Sequence, residues 1–299
     1  MIKVTVENDT VLCTAELNGR FGVYLDTDSL IDLAKKSSRR RQRFLCALHQ
    51  GGDLLFSYTS ALEIARTAGD TRAAIRSFLD EVGPHWTPIE LNPWKVVRGE
   101  AVGPSGQAAV SESFMEAYFR ERIYDLSAEG CKVLDLSPHS FFRLGSVLDW
   151  TQEHCDDIRC HAVKIDGLFF SCLKQLRENF DKNPSALDRE APSLPFDHRR
   201  PATFILTQLL RKLVIEAKAF QYKNNDGLDF CHAVLASAYG SMITLDRQWK
   251  RRVENLPWQN PHPKVYYRPQ VDELVDLLEG LATSRRGVAP INGLHELMN

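Results

Sequence analysis

No stretch of this sequence approaches the ~20 consecutive apolar residues that a membrane-spanning helix needs. The opening residues MIKVTVENDT offer neither the basic start nor the apolar run of a secretory signal. Both absences lead us to expect a cytoplasmic protein with no membrane partner. An excess of one charge is missing too: 37 Lys and Arg stand against 39 Asp and Glu, a formal net charge of -2. The chain is therefore no histone-like or ribosomal polycation, and any polyanion must be met by a local patch. No CxxC pair occurs among the seven cysteines at 13, 46, 131, 155, 160, 172 and 231. That argues against a structural zinc site, even where Cys155 and Cys160 stand beside His154 and His161, and the thiols read as reduced. Neither an internal repeat nor a low-complexity segment is present. What remains is a chain of 299 residues, 43% of them hydrophobic, enough to bury the core of one large domain or two ordinary ones.

Ile2, Val4 and Val6, then Val11, Cys13 and Ala15, alternate at period two about Asn8-Asp9 and predict a hairpin. The apolar run from Phe21 to Leu25 is too short for a helix and reads as a buried strand ending at Asp26. A helix should follow, with Leu30, Ile31, Leu33 and Ala34 on its inner face and Thr27 to Ser29 near its cap. Arg39, Arg40, Arg41 and Arg43 open a second helix through Leu48. Leu54 to Phe56 form a second buried strand, and Ser57 and Thr59 introduce a helix that carries Glu63. A further helix is expected from Thr71 to Leu79. Pro84, Pro88, Pro93 and the glycines from 99 to 106 then mark an irregular stretch without periodicity. Residues 111–124 and 139–181 read as helical, and prolines at 184, 192, 195 and 201 as a loop before an apolar helix over 202–220. Leu228 to Tyr239 read as a buried helix stopped by Gly240, and Ser241 to Leu245 as a strand that ends at Asp246.

Strands alternating with helices predict an α/β domain with a mainly parallel sheet, in which ligands collect outside the carboxyl ends of the strands. Asp26 and Asp246 occupy two such ends. Glu63 and Asp229 fall in helices beside them, so four acids distant in sequence are expected in one cleft. Two ionised carboxylates about 5 Å apart repel by about 3 kcal/mol at an effective dielectric near 20. A protein relieves this by protonating some of them or by binding a divalent cation, and oxygen-only ligands favour Mg2+ or Mn2+. Such a cation can lower the pKa of a water for in-line attack on a phosphodiester and neutralise charge on the leaving oxygen.

These residues resemble the PIN-domain nuclease family, including its bacterial toxin members. The likeness rests on Tyr24-Leu25-Asp26-Thr27-Asp28-Ser29-Leu30-Ile31, on Glu63 six positions after Ser57, on Asp229-Phe230-Cys231-His232-Ala233, and on Thr244-Leu245-Asp246, 17 positions after Asp229. Asp28 stands where the family has Asn, and Asp226 adds an acid before Asp229. The resemblance covers residues 20–70 and 225–250. It implies an α/β/α sandwich, Mg2+ or Mn2+ held by Asp26, Glu63, Asp229 and Asp246, an RNA substrate, and an antitoxin or other protein partner or a homo-oligomer. Residues 1–86 and 221–256 would form a discontinuous PIN-like core, 87–220 a mostly helical insertion and 257–299 a C-terminal extension.

Each acid also has a plain reading. An Asp after a strand caps a helix. Thr27, Asp28, Asp226 and Thr244 are expected around the acids as orienting, capping or turn residues, and His232 as a satisfied buried histidine. Arg247, Lys250, Arg251 and Arg252 offer cations for nucleic acid, with Trp249 as a stacking surface, or else form a solvated face. The segment from Trp258 to Tyr267 stacks bases or packs a terminal helix, and packing is the reading we favour. The function expected is a metal-dependent endoribonuclease. Its rivals are a non-catalytic RNA-binding or antitoxin-partnered module, and a haloacid-dehalogenase-like phosphatase with Asp26 as nucleophile.

Overall fold

A computed structural model describes residues 2–7, 10–15, 21–35, 38–83, 85–103, 108–111, 144–217, 220–223, 225–259 and 262–283, the first two stretches by backbone alone. β1 (Ile2–Glu7) and β2 (Thr10–Ala15) pair antiparallel with Val6 opposite Val11, as the alternation predicts. The Asn8-Asp9 turn and all but the first residue of the helix expected over 111–124 lie outside the described residues.

The rest is built on a five-stranded, all-parallel sheet. Its strands are β3 (Phe21–Tyr24), β4 (Gly52–Phe56), β5 (Trp86–Pro88), β6 (Met242–Thr244) and β7 (Lys264–Tyr266), in the order β5-β4-β3-β6-β7. Val23 pairs with Leu54 on one side and Met242 on the other, so β3 is the centre. All of β4, β5 and β6 is buried, as strands covered on both faces must be. The chain lays β4 and β5 to one side of β3, then returns to lay β6 and β7 on the other. The winding therefore reverses between β3 and β6, and at such a reversal the crossovers leave a crevice at the carboxyl ends of the strands.

The helices are α1 (Thr27–Lys35), α2 (Ser38–Leu48), α3 (Tyr58–Ala65), α4 (Gly69–Val82), α5 (Pro93–Glu100), α6 (Leu144–Glu153), α7 (Cys155–Lys182), α8 (Ala186–Glu190), α9 (Pro201–Ile215), α10 (Asp226–Tyr239), α11 (Arg247–Glu254) and α12 (Val271–Thr283). None among the described residues is long and apolar enough to cross a membrane. Phe169, Leu173, Phe204 and Leu209 from residues 144–215 join Val23, Leu55 and Ile243 in one apolar core. α6 packs on α3 and α4, and α7 and α9 pack on α10.

Several expectations need correction. The stretch from Pro84 to Gly106 contains β5 and α5, both missed because one is three residues long and the other brief and proline-led. Asn92 caps α5, accepting from Lys95 N–H at 3.2 Å, and Pro93 takes its first turn, a pairing readable from the sequence. The loop after Pro184 contains α8. The sheet also reaches past the expected domain boundaries, since β5 straddles residue 87 and β7 lies beyond 257. Residues 264–266 thus belong to the sheet rather than to an extension, and Trp258 packs, though against Phe196 and Phe204 rather than on the terminal helix as expected.

Candidate functional site

Both central strands end in an acid that starts a helix. Asp26 Oδ1 accepts Ser29 N–H at 3.0 Å and opens α1; Asp246 Oδ1 accepts Trp249 N–H at 2.7 Å and opens α11. The capping role is therefore correct for both, and it engages one oxygen of each carboxylate. Asp26 and Thr244 are also bonded reciprocally. Asp26 N–H donates to Thr244 Oγ1 at 2.8 Å, and the Thr244 hydroxyl donates to Asp26 Oδ1 at 3.0 Å.

Glu63 reaches the same place from α3, and the Thr27 hydroxyl donates to its Oε2. Asp229 comes from the first turn of α10. That helix begins at Asn225 in the left-handed conformation, φ 74°, which Asn tolerates better than most residues. Gly227 N–H donates to Asp166 Oδ1 at 2.9 Å, and a Cβ at 227 would stand 2.5 Å from that oxygen, so this first turn leaves no room for a side chain there.

A cleft of about 300 Å³ is lined by Asp26, Glu63, Asp229 and Asp246 together with Thr27, Asp28 and His232, over an apolar floor of Tyr24, Leu245 and Trp249. All four expected acids meet here. Asp28 is at the rim, whereas Thr244 works from behind Asp26. Asp226 turns back to accept Lys223 N–H at 2.5 Å and is not a lining residue. His232 is buried, with Nε2 2.9 Å from Thr59 Oγ1 and 3.2 Å from Ser57 Oγ. Burial holds its pKa below the ordinary value against the opposing pull of Glu63, so the ring is neutral at pH 7.

The electrostatics report the crowding. Burial first, and then the charges of Asp246, Glu63, Asp226 and Asp26, push the Asp229 carboxyl up to about 7. Burial also raises Asp26, against the lowering effect of the bonds from Ser29 and Thr244. The Tyr24 phenol is raised by burial and by Glu63, and stays protonated.

As the side chains stand, no three His, Cys, Asp or Glu among the described residues form a ready-made metal cage. Magnesium does not require one, because it keeps several waters and is held through one or two carboxylates. Asp26, Asp246 and Glu63 each have one oxygen fixed by a neighbour, and no side-chain hydrogen bond or ion pair among the described residues reaches Asp229. An all-oxygen set of this kind suits a hydrated hard cation rather than closed tetrahedral zinc.

The expected nucleic-acid contacts divide. Arg247 and Arg251 are exposed on α11. Lys250 is bonded to Glu254 and to the Val265 carbonyl, each at 2.5 Å. Arg252 is corrected: it is 6% exposed, lies over the rings of Phe220 and Trp249, and cannot meet a phosphate from there. Trp249, 2% exposed, is likewise floor rather than stacking surface. Arg268, just after β7, was missed because its strand was not read as one; it stands beside Asp28 at the rim. Compared with protein-family models, curated proteins and solved structures, the chain matches none.

Proposed function

We propose that this chain is a metal-dependent endoribonuclease of the PIN-domain kind. The observation that carries the reading is the meeting of Asp26, Glu63, Asp229 and Asp246, from four separate elements, in one cleft at the carboxyl ends of the central strands. Four acids in one cleft, three of them raising the pKa of Asp229, make a poor site for an anion unless a cation is bound with it. When bound, a Mg2+ or Mn2+ ion supplies an activated water and neutralises charge on the leaving oxygen.

The chain's own contribution is to hold the acids still. Ser29 N–H and the Thr244 hydroxyl aim Asp26, the Thr27 hydroxyl aims Glu63, and Trp249 N–H aims Asp246. Each leaves an oxygen for the cation, and Asp229 offers both of its own. Tyr24, Leu245 and Trp249 exclude water below, which strengthens every charge interaction above them. No side chain need form a covalent intermediate.

The test is cleavage of a single-stranded RNA oligonucleotide titrated with Mn2+ and Mg2+. Chelation should abolish it, and Asp26→Asn and Asp246→Asn should each lower kcat at least about a hundredfold. Cleavage that survives chelation and both substitutions overturns the reading. A phosphoryl group trapped on Asp26 would move it to a phosphatase.

A further inference from the structure

A cleft lined by carboxylates repels the polyanion it is meant to cut, so a cation near its rim has to hold phosphate. Arg247 and Arg251 are exposed on α11, but several other cations of the molecule are committed elsewhere. Lys250 is bonded to Glu254 and Val265, and Arg252 is buried against Phe220 and Trp249. Arg40 bridges Asp32 and Asp272 at 2.9 and 2.5 Å. Arg43 holds Asp276 and Glu279.

Arg268 differs. Its side chain is 49% exposed, and its guanidinium is 4.0 Å from Asp28 Oδ2 and 3.5 Å from Asp32 Oδ1. Both distances exceed the ~3.2 Å of a good N–H···O bond. Asp28 lines the cleft beside Asp26, and Arg268 begins the 3-10 turn Arg268–Gln270 that follows β7. It therefore sits at the carboxyl edge of the strand next to the one that delivers Asp246.

The geometry points to Arg268 as the side chain that grips a backbone phosphate of the nucleic acid beside the cleft, an inference that rests on the nuclease reading above. Loose pairing to Asp28 and Asp32 keeps the planar fork at the rim without using up its donors. A phosphate can take these donors in a bidentate pair, the geometry for which a guanidinium is suited and an ammonium is not. Moving Arg268 onto phosphate costs the buried Asp32 Oδ1 its 3.5 Å ion pair but keeps the bond from Arg40 Nη1 to Oδ2 at 2.9 Å. Asp28 is exposed and remains hydrated. The gain is a counter-charge next to the acids that leaves their oxygens free.

The experiment uses the full chain with Arg268→Ala and Arg268→Lys. Mn2+-dependent cleavage of a fluorogenic single-stranded RNA is measured over a range of salt. Binding of the same labelled strand is followed by anisotropy in the Asp246→Asn background, with and without Arg268→Ala. Arg268→Ala should raise KM and Kd roughly tenfold and flatten the logarithmic salt dependence by about one, as expected for one lost phosphate contact. The kcat should stay within about twofold, and Arg268→Lys should recover part of the affinity. A merely structural role would leave the salt slope alone. If the unsubstituted protein cuts RNA and Arg268→Ala changes neither KM nor slope, this inference falls and the nuclease reading stands. If the chain binds RNA but does not cut it, the nuclease reading falls and the affinity change still decides on Arg268. If it neither binds nor cuts, both fall.

Discussion

Asp229 is the residue on which the charges of the site converge. Its folded pKa of about 7 lies above the ordinary 3.8 of an aspartate, so between those values the folded chain keeps a proton that the unfolded chain has lost. Stability associated with this group is complete below about pH 4 and is lost as pH rises through 7. The metal-free protein should therefore be less stable at pH 8 than at pH 5 by roughly 1–3 kcal/mol on this account, allowing for the partial exposure of the carboxyl. Asp229→Asn should raise the melting temperature of the metal-free protein at pH 8, leave it unchanged at pH 4, and abolish cleavage. Thermal melts at the two pH values check this, and an Asn variant no more stable at pH 8 than the parent would refute it. At the same scale, the sequence could tell that Asp26 and Asp246 close strands, because a short apolar run followed by an acid has few other meanings. It could not tell that Arg252 turns inward over Phe220, since a cation on an aromatic face is a tertiary event.

Among elements, the pairing of β3 with β6 does most to build the site, and the two strands share only the pairs Val23 with Met242 and Tyr24 with Ile243. The reciprocal bonds of Asp26 with Thr244 extend that seam into the cleft. Thr244→Val keeps the shape but removes both bonds and leaves a part-buried backbone N–H without its partner, which costs about 1–3 kcal/mol. Urea denaturation should show that loss. Cleavage should weaken along with it, because Asp26 is then oriented by Ser29 alone. The helices that carry the acids were legible from spacing: α1, α3 and α10 are amphipathic or buried runs with recognisable starts. β5 and β7 were not: β6 is as short but lies in the run Ser241 to Leu245 after a Gly stop, whereas Trp86-Thr87-Pro88 and Lys264-Val265-Tyr266 sit among prolines with no such run. What makes them strands is an open edge on β4 or β6, and an edge is visible only once the sheet exists.

At the scale of the molecule, residues 264–283 are structural. β7 completes the sheet beside β6, and α12 buries Val271, Leu274, Val275 and Leu278, packing along α2. Removing everything after Gln259 should expose the outer edge of β6 and the apolar face of α2. We expect a chain that aggregates or loses cooperative unfolding in a melt followed by circular dichroism; a truncated chain with an unchanged melt would show that β7 and α12 are dispensable. The sequence conveyed the α/β class and the place of the acids but not this closure, nor the sharing of one core between the sheet and residues 144–215.

Thr244 and Asp26 clasp each other across 218 positions of chain. A ribosome therefore completes β3, β4 and β5 long before it makes the strand that must lie against the other edge of β3, and that half-sheet waits uncovered in the interval. On the nuclease reading the delay also protects the cell. Asp229 and Asp246 emerge so late that a polypeptide lacks two of the four acids of the cleft until three quarters of it has been made.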